Sequence, residues 1–524
     1  MIAGGDHSDS INSARKLARA LHGELLAKHA VGNITTTHAT HSQQGGGELT
    51  ATASTPTGPW TRTYQNLAGR TLKTTFVQGT TEISLQAHRY DTLGRPISTT
   101  DADGVTQLLA YNAKGEAYRR AIDLNQNGQI DNADRTTETL LDVVATSPIG
   151  NAVRSRSILY DLSNNPITVS TSYQSPDGLT TRQESRGVAA PATTLSASHT
   201  ARASGIWTDT TTAPDGTKTT VAYQNWQATG QSRLDTANNV VESTTTGHDA
   251  LRRPVTQTHS RTGLVTTNYA TSGQVASIDD HGRLTAFAYD SMGRRTATTL
   301  PDTTVTHTSY WPTGQVKATW GSQTNPTVQL YNPQGQPTEL RTFRSTNLAL
   351  APDETTGNYD ATTWTYNPRQ QLTRKQYADG KGTDYTHTPA GRLKTRAWAR
   401  NIITTYNYDS AGELTTTDYS DATPDITILF DKLGRQQSVT TVVAKTEFTY
   451  DPATLAVDTE TISYNLDTTP GYEFFRVLDR SRDALGRDTG FQLKTASTIV
   501  EAQAAYAYSP TDGRIAQISN PQIP

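Results

Sequence analysis

Over most of the chain, apolar and polar side chains alternate in short runs cut by turn signals. The stretch "RLTAFAYD" (283–290) is representative: Leu284, Ala286 and Ala288 fall on one side, and Thr285, Phe287 and Tyr289 on the other. A period of two is that of a β-strand. The turn signals "DDHG" (279–282) and "YADG" (377–380) precede such runs; "DSMG" follows one and leads into a second, "RRTATTL". Two strands and two turns fill each unit, so each unit reads as one hairpin, and hairpins joined edge to edge make one long antiparallel sheet. A single hairpin is not stable alone, so stability must come from its neighbours. One segment breaks the pattern. In "DSINSARKLARALHGELLAK" (9–28), Ile11, Ala14, Leu17, Ala18, Leu21 and Leu25 recur at helical spacing behind a Ser10 N-cap, which predicts a helix packed on a sheet. The stretch 38–59 after it reads as a polar linker.

The units repeat. "YDTLGR" (90–95), "YDSMGR" (289–294), "YDSAGEL" (408–414) and "FDKLGR" (430–435) are the clearest copies; "HDALRR" (248–253), "YNPRQQL" (366–372), "HTPAGRL" (387–393) and "YSPTDGRI" (508–515) are among the weaker ones. Leading residues stand at 248, 269, 289, 310 and 331, then at 366, 387, 408, 430 and 450, a period near 21. Gly94, Gly293, Gly412 and Gly434, fifth in the motif, suit a turn needing φ > 0. Asp91, Asp290, Asp409 and Asp431 can bond turn amides. Tyr90, Tyr289 and Tyr408 can cover the neighbouring repeat with a ring whose hydroxyl needs a partner. Arg95, Arg294 and Arg435 can stack on such a ring or pair with an acid. All four roles are structural. The organisation expected is a helix and linker over 1–59, degenerate repeats over 60–247 and a repeat array over 248–524.

Composition agrees with thin sheets. The hydrophobic share is 34%, below the usual globular value, but charge is only 18% with a net of −3, so the high charge of disordered chains is missing. There is no cysteine, which removes disulfides, thiolate metal sites and Cys nucleophiles. Near-neutral charge makes no case for nucleic acid or an anionic membrane. No run of 18 apolar residues suggests a membrane span, and the first residues lack the apolar core of a signal peptide.

One insertion invites chemistry. In "DLNQNGQIDNAD" the cation-loop template places Asp123, Asn125, Asn127, Gln129 (through its carbonyl), Asp131 and Asp134 as ligands, with Gly128 at the sharp turn and Ile130 as the apolar anchor. Calcium, which takes six to eight hard oxygens, is the cation expected. The last ligand is Asp rather than Glu, as in dockerin-like variants, and its flanks are not evident helices. The alternative is an ordinary solvated loop. If occupied, its role is structural: the interval from Tyr111 to Tyr160 exceeds two repeats, so the loop pins an enlarged hairpin.

With these motifs in hand, the chain resembles the YD, or Rhs, repeat family of bacterial Rhs and wall-associated toxins, toxin-complex shell proteins and animal teneurins. The resemblance implies an all-β strip that spirals into a hollow shell, enclosing a C-terminal toxin or presenting a surface for cell contact. The chain departs from Rhs toxins where a "DPxGL"-type protease motif is expected: "YDPATL" (450–455) lacks the Gly-Leu, and no protease residue carries over. The resulting expectation is a non-enzymatic shell segment of a secreted or surface-associated bacterial protein, with a toxin cargo in cis as partner. The rival is a module that binds carbohydrate or a cell-surface protein. It would carry aromatic residues off the repeat register, and Trp226, Trp311, Trp364 and Trp398 are the residues to inspect.

Overall fold

In the computed structural model, the described residues are three short strands ahead of residue 60 and then 60–520, excepting 67, 79, 147–148, 187–192, 204–205, 323, 345–350, 353–357, 453, 465–473 and 496–498. They form a single 41-stranded sheet without a helix. The helix expected over 9–28 lies outside the described residues. The stretch 38–59, read as a linker, contains strands Ala39–His41 and Glu48–Ala51, which pair with each other; the second also pairs with Trp60–Asn66. Short Thr-containing runs there find edge partners that polarity alone did not suggest.

From Trp60–Asn66 to Ile515–Ser519 every described strand pairs antiparallel with the next. One unit shows how. Arg283–Tyr289 pairs with Arg295–Thr299, and the register shifts at Tyr289, which opposes Arg295. Between them Gly293 N–H donates to the Asp290 carbonyl at 3.0 Å and Asp290 N–H to the Arg294 carbonyl at 2.9 Å. Gly293 has φ 82°. This is a three-residue loop, a type I turn closed by a glycine bulge, and it explains why Gly holds the fifth place. In weaker copies Arg252 (φ 66°) and Gln370 (φ 62°) stand at that place and accept the strain.

Little of the sheet is covered on both faces. Nine hydrophobic side chains and Pro326 are buried among the described residues. The largest cluster, Ala318, Val328 and Phe343 with Trp320, Leu330 and Tyr359 against it, is local to one pair of repeats. The accessible surface is 31076 Å², against about 18,600 Å² for a compact monomer of this mass.

The strip winds. Side chains and backbone meet across sequence separations of 268 to 300 residues. Arg392 reaches Asp101 and Asp103, Ser410 reaches Leu124, and Arg233 reaches Asp512. At two strands per unit, one winding holds eleven or twelve units. Between Asp103 and Thr388 lie 23 described strands. At about 4.8 Å per strand the path is roughly 110 Å, which closes on a mean diameter of about 35 Å if round. Sheets packed face to face sit only about 10 Å apart, so a winding of this length does not fill its own interior.

Candidate functional site

Two arrangements are built from the repeats, a ladder along the strip and a seam between windings. In the ladder each recurring motif position has one job. Asp91 Oδ1 accepts the amides of Leu93 at 3.0 Å and Arg95 at 2.8 Å, while Oδ2 accepts Arg95 Nε at 2.7 Å. Asp290 and Asp431 repeat all three bonds with Met292, Arg294, Leu433 and Arg435, and Asp409 keeps the two amide bonds with Ala411 and Glu413. Gly94, Gly412 and Gly434 have φ between 79° and 80°. The Arg95 amide, then its guanidinium, outweigh desolvation and hold the Asp91 carboxyl below its usual range. A depressed folded pKa means the bonding is fully present above the unfolded value of about 3.9 and is lost only as pH falls through the lower folded one.

The tyrosines join units. Tyr90 OH donates to the Thr71 carbonyl at 2.8 Å, Tyr289 to Val275 at 2.9 Å and Tyr408 to Leu393 at 2.8 Å, each a carbonyl of the preceding unit. The guanidinium of Arg95 lies 4.4 Å from the centroid of Tyr111, Arg294 4.8 Å from Tyr310 and Arg435 4.0 Å from Tyr450. Each arginine therefore fixes its own turn through Asp and roofs the tyrosine of the next. A hydroxyl–carbonyl bond of about 1 kcal/mol and a cation–π contact of about 0.5–1 kcal/mol per unit are small alone. Repeated along the array they supply the neighbour coupling that hairpins lack.

The insertion loop joins Ala117–Ile122 to Arg135–Thr146, so strands flank it on both sides. Asp123 and Asp134 are buried. Asp123 accepts the amides of Asn127 at 3.1 Å and Gly128 at 2.8 Å; Asp134 accepts those of Leu124 and Asp131, both at 3.0 Å. Asp131 Oδ2 takes the side-chain amides of Asn125 and Asn127, and Asn127 Oδ1 takes the Gln129 amide. Burial, and then the like charges of Asp131 and Asp123, push the Asp134 carboxyl up against the pull of its two amides. Among the described residues no group of three or more His, Asp or Glu side chains converges as a metal cage. The following hairpin is enlarged, with strands of 12 and 11 residues.

The loop also lies on the seam. Ser410 Oγ donates to the Leu124 carbonyl at 2.8 Å and Lys432 Nζ to that of Asn132 at 2.8 Å. Arg135, directly after the loop, makes two 2.8 Å bonds to the Glu413 carboxylate and a 3.0 Å bond to the Lys432 carbonyl. Farther along, Asp103 accepts the Thr388 hydroxyl at 2.6 Å, the Ala390 amide at 2.9 Å and the Arg392 guanidinium at 2.5 Å. Burial opposes the charge of Asp103, but those three donors together hold its pKa below the usual value. Glu242 and Arg514 pair in the same way. Sequence reasoning found none of these seam residues.

The RHS Repeat family matches residues 269–305. That segment carries the motif geometry described above, and the same geometry recurs from Tyr90 to Tyr508. The chain therefore carries the RHS repeat. A search of curated protein sequences returns no match. Among solved structures, the crystal structure of TcdB2-TccC3 aligns over 88% of this chain and 35% of that one, at 11% identity and a TM-score of 0.29. The Tc holotoxin pore of Photorhabdus luminescens aligns over 88% and 36%, at 10% identity and a TM-score of 0.30. A porin-like protein from Bacteroides uniformis aligns over 54% and 95%, at 12% identity and a TM-score of 0.12. The chain thus spans about a third of the length of the first two. No helix among its described residues is long and apolar enough to cross a membrane.

Proposed function

We propose that this RHS-repeat chain is a wall: a non-enzymatic shell segment of a secreted or surface-associated bacterial protein, enclosing or presenting a toxin carried in cis. The observation that carries the reading is the seam. A strip whose units bond to units some 285 residues away encloses space, and a winding of about 35 Å leaves a lumen. Such a wall also hides strand edges that would otherwise recruit other chains. Electron microscopy of the purified chain is expected to show a curved wall around a low-density interior. A straight or flat ribbon would contradict the reading.

The insertion loop is proposed to take calcium as a structural ion. Support comes from the template spacing of Asp123, Asn125, Asn127, Gln129, Asp131 and Asp134, and from the burial of two carboxylates against the seam. Affinity in the weak class of extracellular modules, roughly 10⁻⁴–10⁻³ M, is expected. Calorimetric titration should show a heat that Asp123→Ala abolishes; equal heats in both proteins would sink the assignment. The second reading, a carbohydrate- or cell-surface-binding module, is favoured at one place, the aromatic group around Trp226, and is compatible with a wall.

A further inference from the structure

Short two-residue turns link strands at two places, one on each edge of the strip; the second lies beside the motif turn at 249–253, whose Arg252 carbonyl accepts Gln227 Nε2 at 2.8 Å. At Asp280–Arg283 the central pair is His281-Gly282, with φ 58° and 82°. At Gln224–Gln227 it is Asn225-Trp226, with φ 50° and 69°. Both are turns with two left-handed residues, for which Asn-Gly is the favoured sequence. A tryptophan in the glycine place is sterically strained, and strain of this kind concentrates where a residue has a use beyond the fold.

The indole is held but not covered. Trp226 is 79% exposed. It packs edge-to-face on Trp207, centroids 4.5 Å apart, and Trp207 in turn stacks on Tyr223 at 5.2 Å. The other tryptophans inspected are worked into the wall. Trp311 Nε1 donates to the Gln329 carbonyl at 2.9 Å, the Arg396 guanidinium lies 3.6 Å from the Trp398 ring centroid, and Trp364 is half-buried. Trp226 is therefore the exposed one of the four, and it is clustered with other aromatic side chains.

The surroundings say what fits. Gln224 and Asn225 are exposed, and their amides both donate and accept. Asp209, two residues along the strand from Trp207, is already engaged by the Thr200 hydroxyl at 2.6 Å. The cations of these strands lie elsewhere: Lys218 bonds Asn238 and Arg233 bonds Asp512. Among the described side chains of these three strands, neither cation is free for a charged ligand. Ile206, opposite Gln224, is the other exposed large apolar side chain of these strands. One indole and one isoleucine offer far less than the ~800 Å² per partner of a stable protein interface. A flat ring face rimmed by amides matches a pyranose, whose C–H face packs on aromatic carbon while its hydroxyls take amide bonds.

We propose that Trp226, braced by Trp207 and Tyr223, is the platform of a binding site for a neutral pyranose, with Gln224 and Asn225 bonding its hydroxyls. This deepens the carbohydrate-binding reading and is independent of the wall. The test is isothermal titration of the full chain with cellohexaose and chitohexaose. Saturable binding is expected for at least one of them, with a dissociation constant on the order of 1 mM. Trp226→Gly, which gives the turn its preferred residue, should weaken it at least tenfold while far-UV circular dichroism is unchanged; Trp226→Tyr should keep it within a few-fold. No saturable heat from either sugar would overturn both the site and the carbohydrate-binding reading. Undiminished binding by a folded Trp226→Gly variant would overturn the site alone.

Discussion

Gly321→Ala is expected to be among the most damaging small substitutions in the array, costing about 3 kcal/mol or more. Gly321 has φ 151°, and an added Cβ would lie 2.0 Å from the Val305 carbonyl oxygen and 2.9 Å from Thr306 Cα. Both obstacles are backbone of the neighbouring strand, so no rotamer change relieves them. The residue also borders the cluster of Ala318, Val328 and Phe343, so movement there empties one of the few covered spots. Gly314→Ala is the control: φ is 91° but nothing lies within 4 Å of its Cβ, so only backbone strain applies, about 1–2 kcal/mol. Because repeat arrays open locally, the readout is hydrogen exchange. Amides from 305 to 343 should lose protection in Gly321→Ala and largely keep it in Gly314→Ala.

Arg135→Ala is expected to loosen the seam by about 2 kcal/mol. The figure lies between exposed and buried pairs, because the two side chains of the Arg135–Glu413 pair are 20% and 21% exposed. The substitution removes a two-pronged bond and a carbonyl bond at once, and leaves Glu413 facing another winding without a counter-charge. A double-mutant cycle with Glu413→Ala should give a coupling energy of about 1–2 kcal/mol by thermal or urea melting. Independent effects would mean that the pair does not hold the windings together.

The ladder was legible in the sequence because its causes are local. Gly at φ near 80°, Asp bonding amides two and four residues on, and Tyr reaching the previous unit all follow from spacing within one or two repeats. The seam was not legible, because which units meet depends on the accumulated curvature of more than twenty strands. It leaves a trace nonetheless, in the departures from the motif. "HTPAGR" has Thr388 where Asp is usual, so Arg392 lacks a partner in its own turn and binds Asp101 and Asp103. "YDSAGE" has Glu413 where Arg is usual, and it receives Arg135. "YSPTDGR" has Ser509 in the Asp place, and Arg514 goes to Glu242. A degenerate copy therefore frees a charge for use between windings. The aromatic site is different again: Trp226 is ordinary in composition, and only its backbone angle and exposure single it out.

The central claim, that a strip of repeated hairpins winds until units some 285 residues apart touch, can be measured directly. The chain has no cysteine, so a pair placed by Asp103→Cys and Thr388→Cys reports without background. A short bismaleimide is expected to join that pair within one chain at high yield, and to fail with Asp103→Cys and Ala250→Cys, about half a winding apart. No intramolecular product from the first pair, or equal yields from both, would contradict the account.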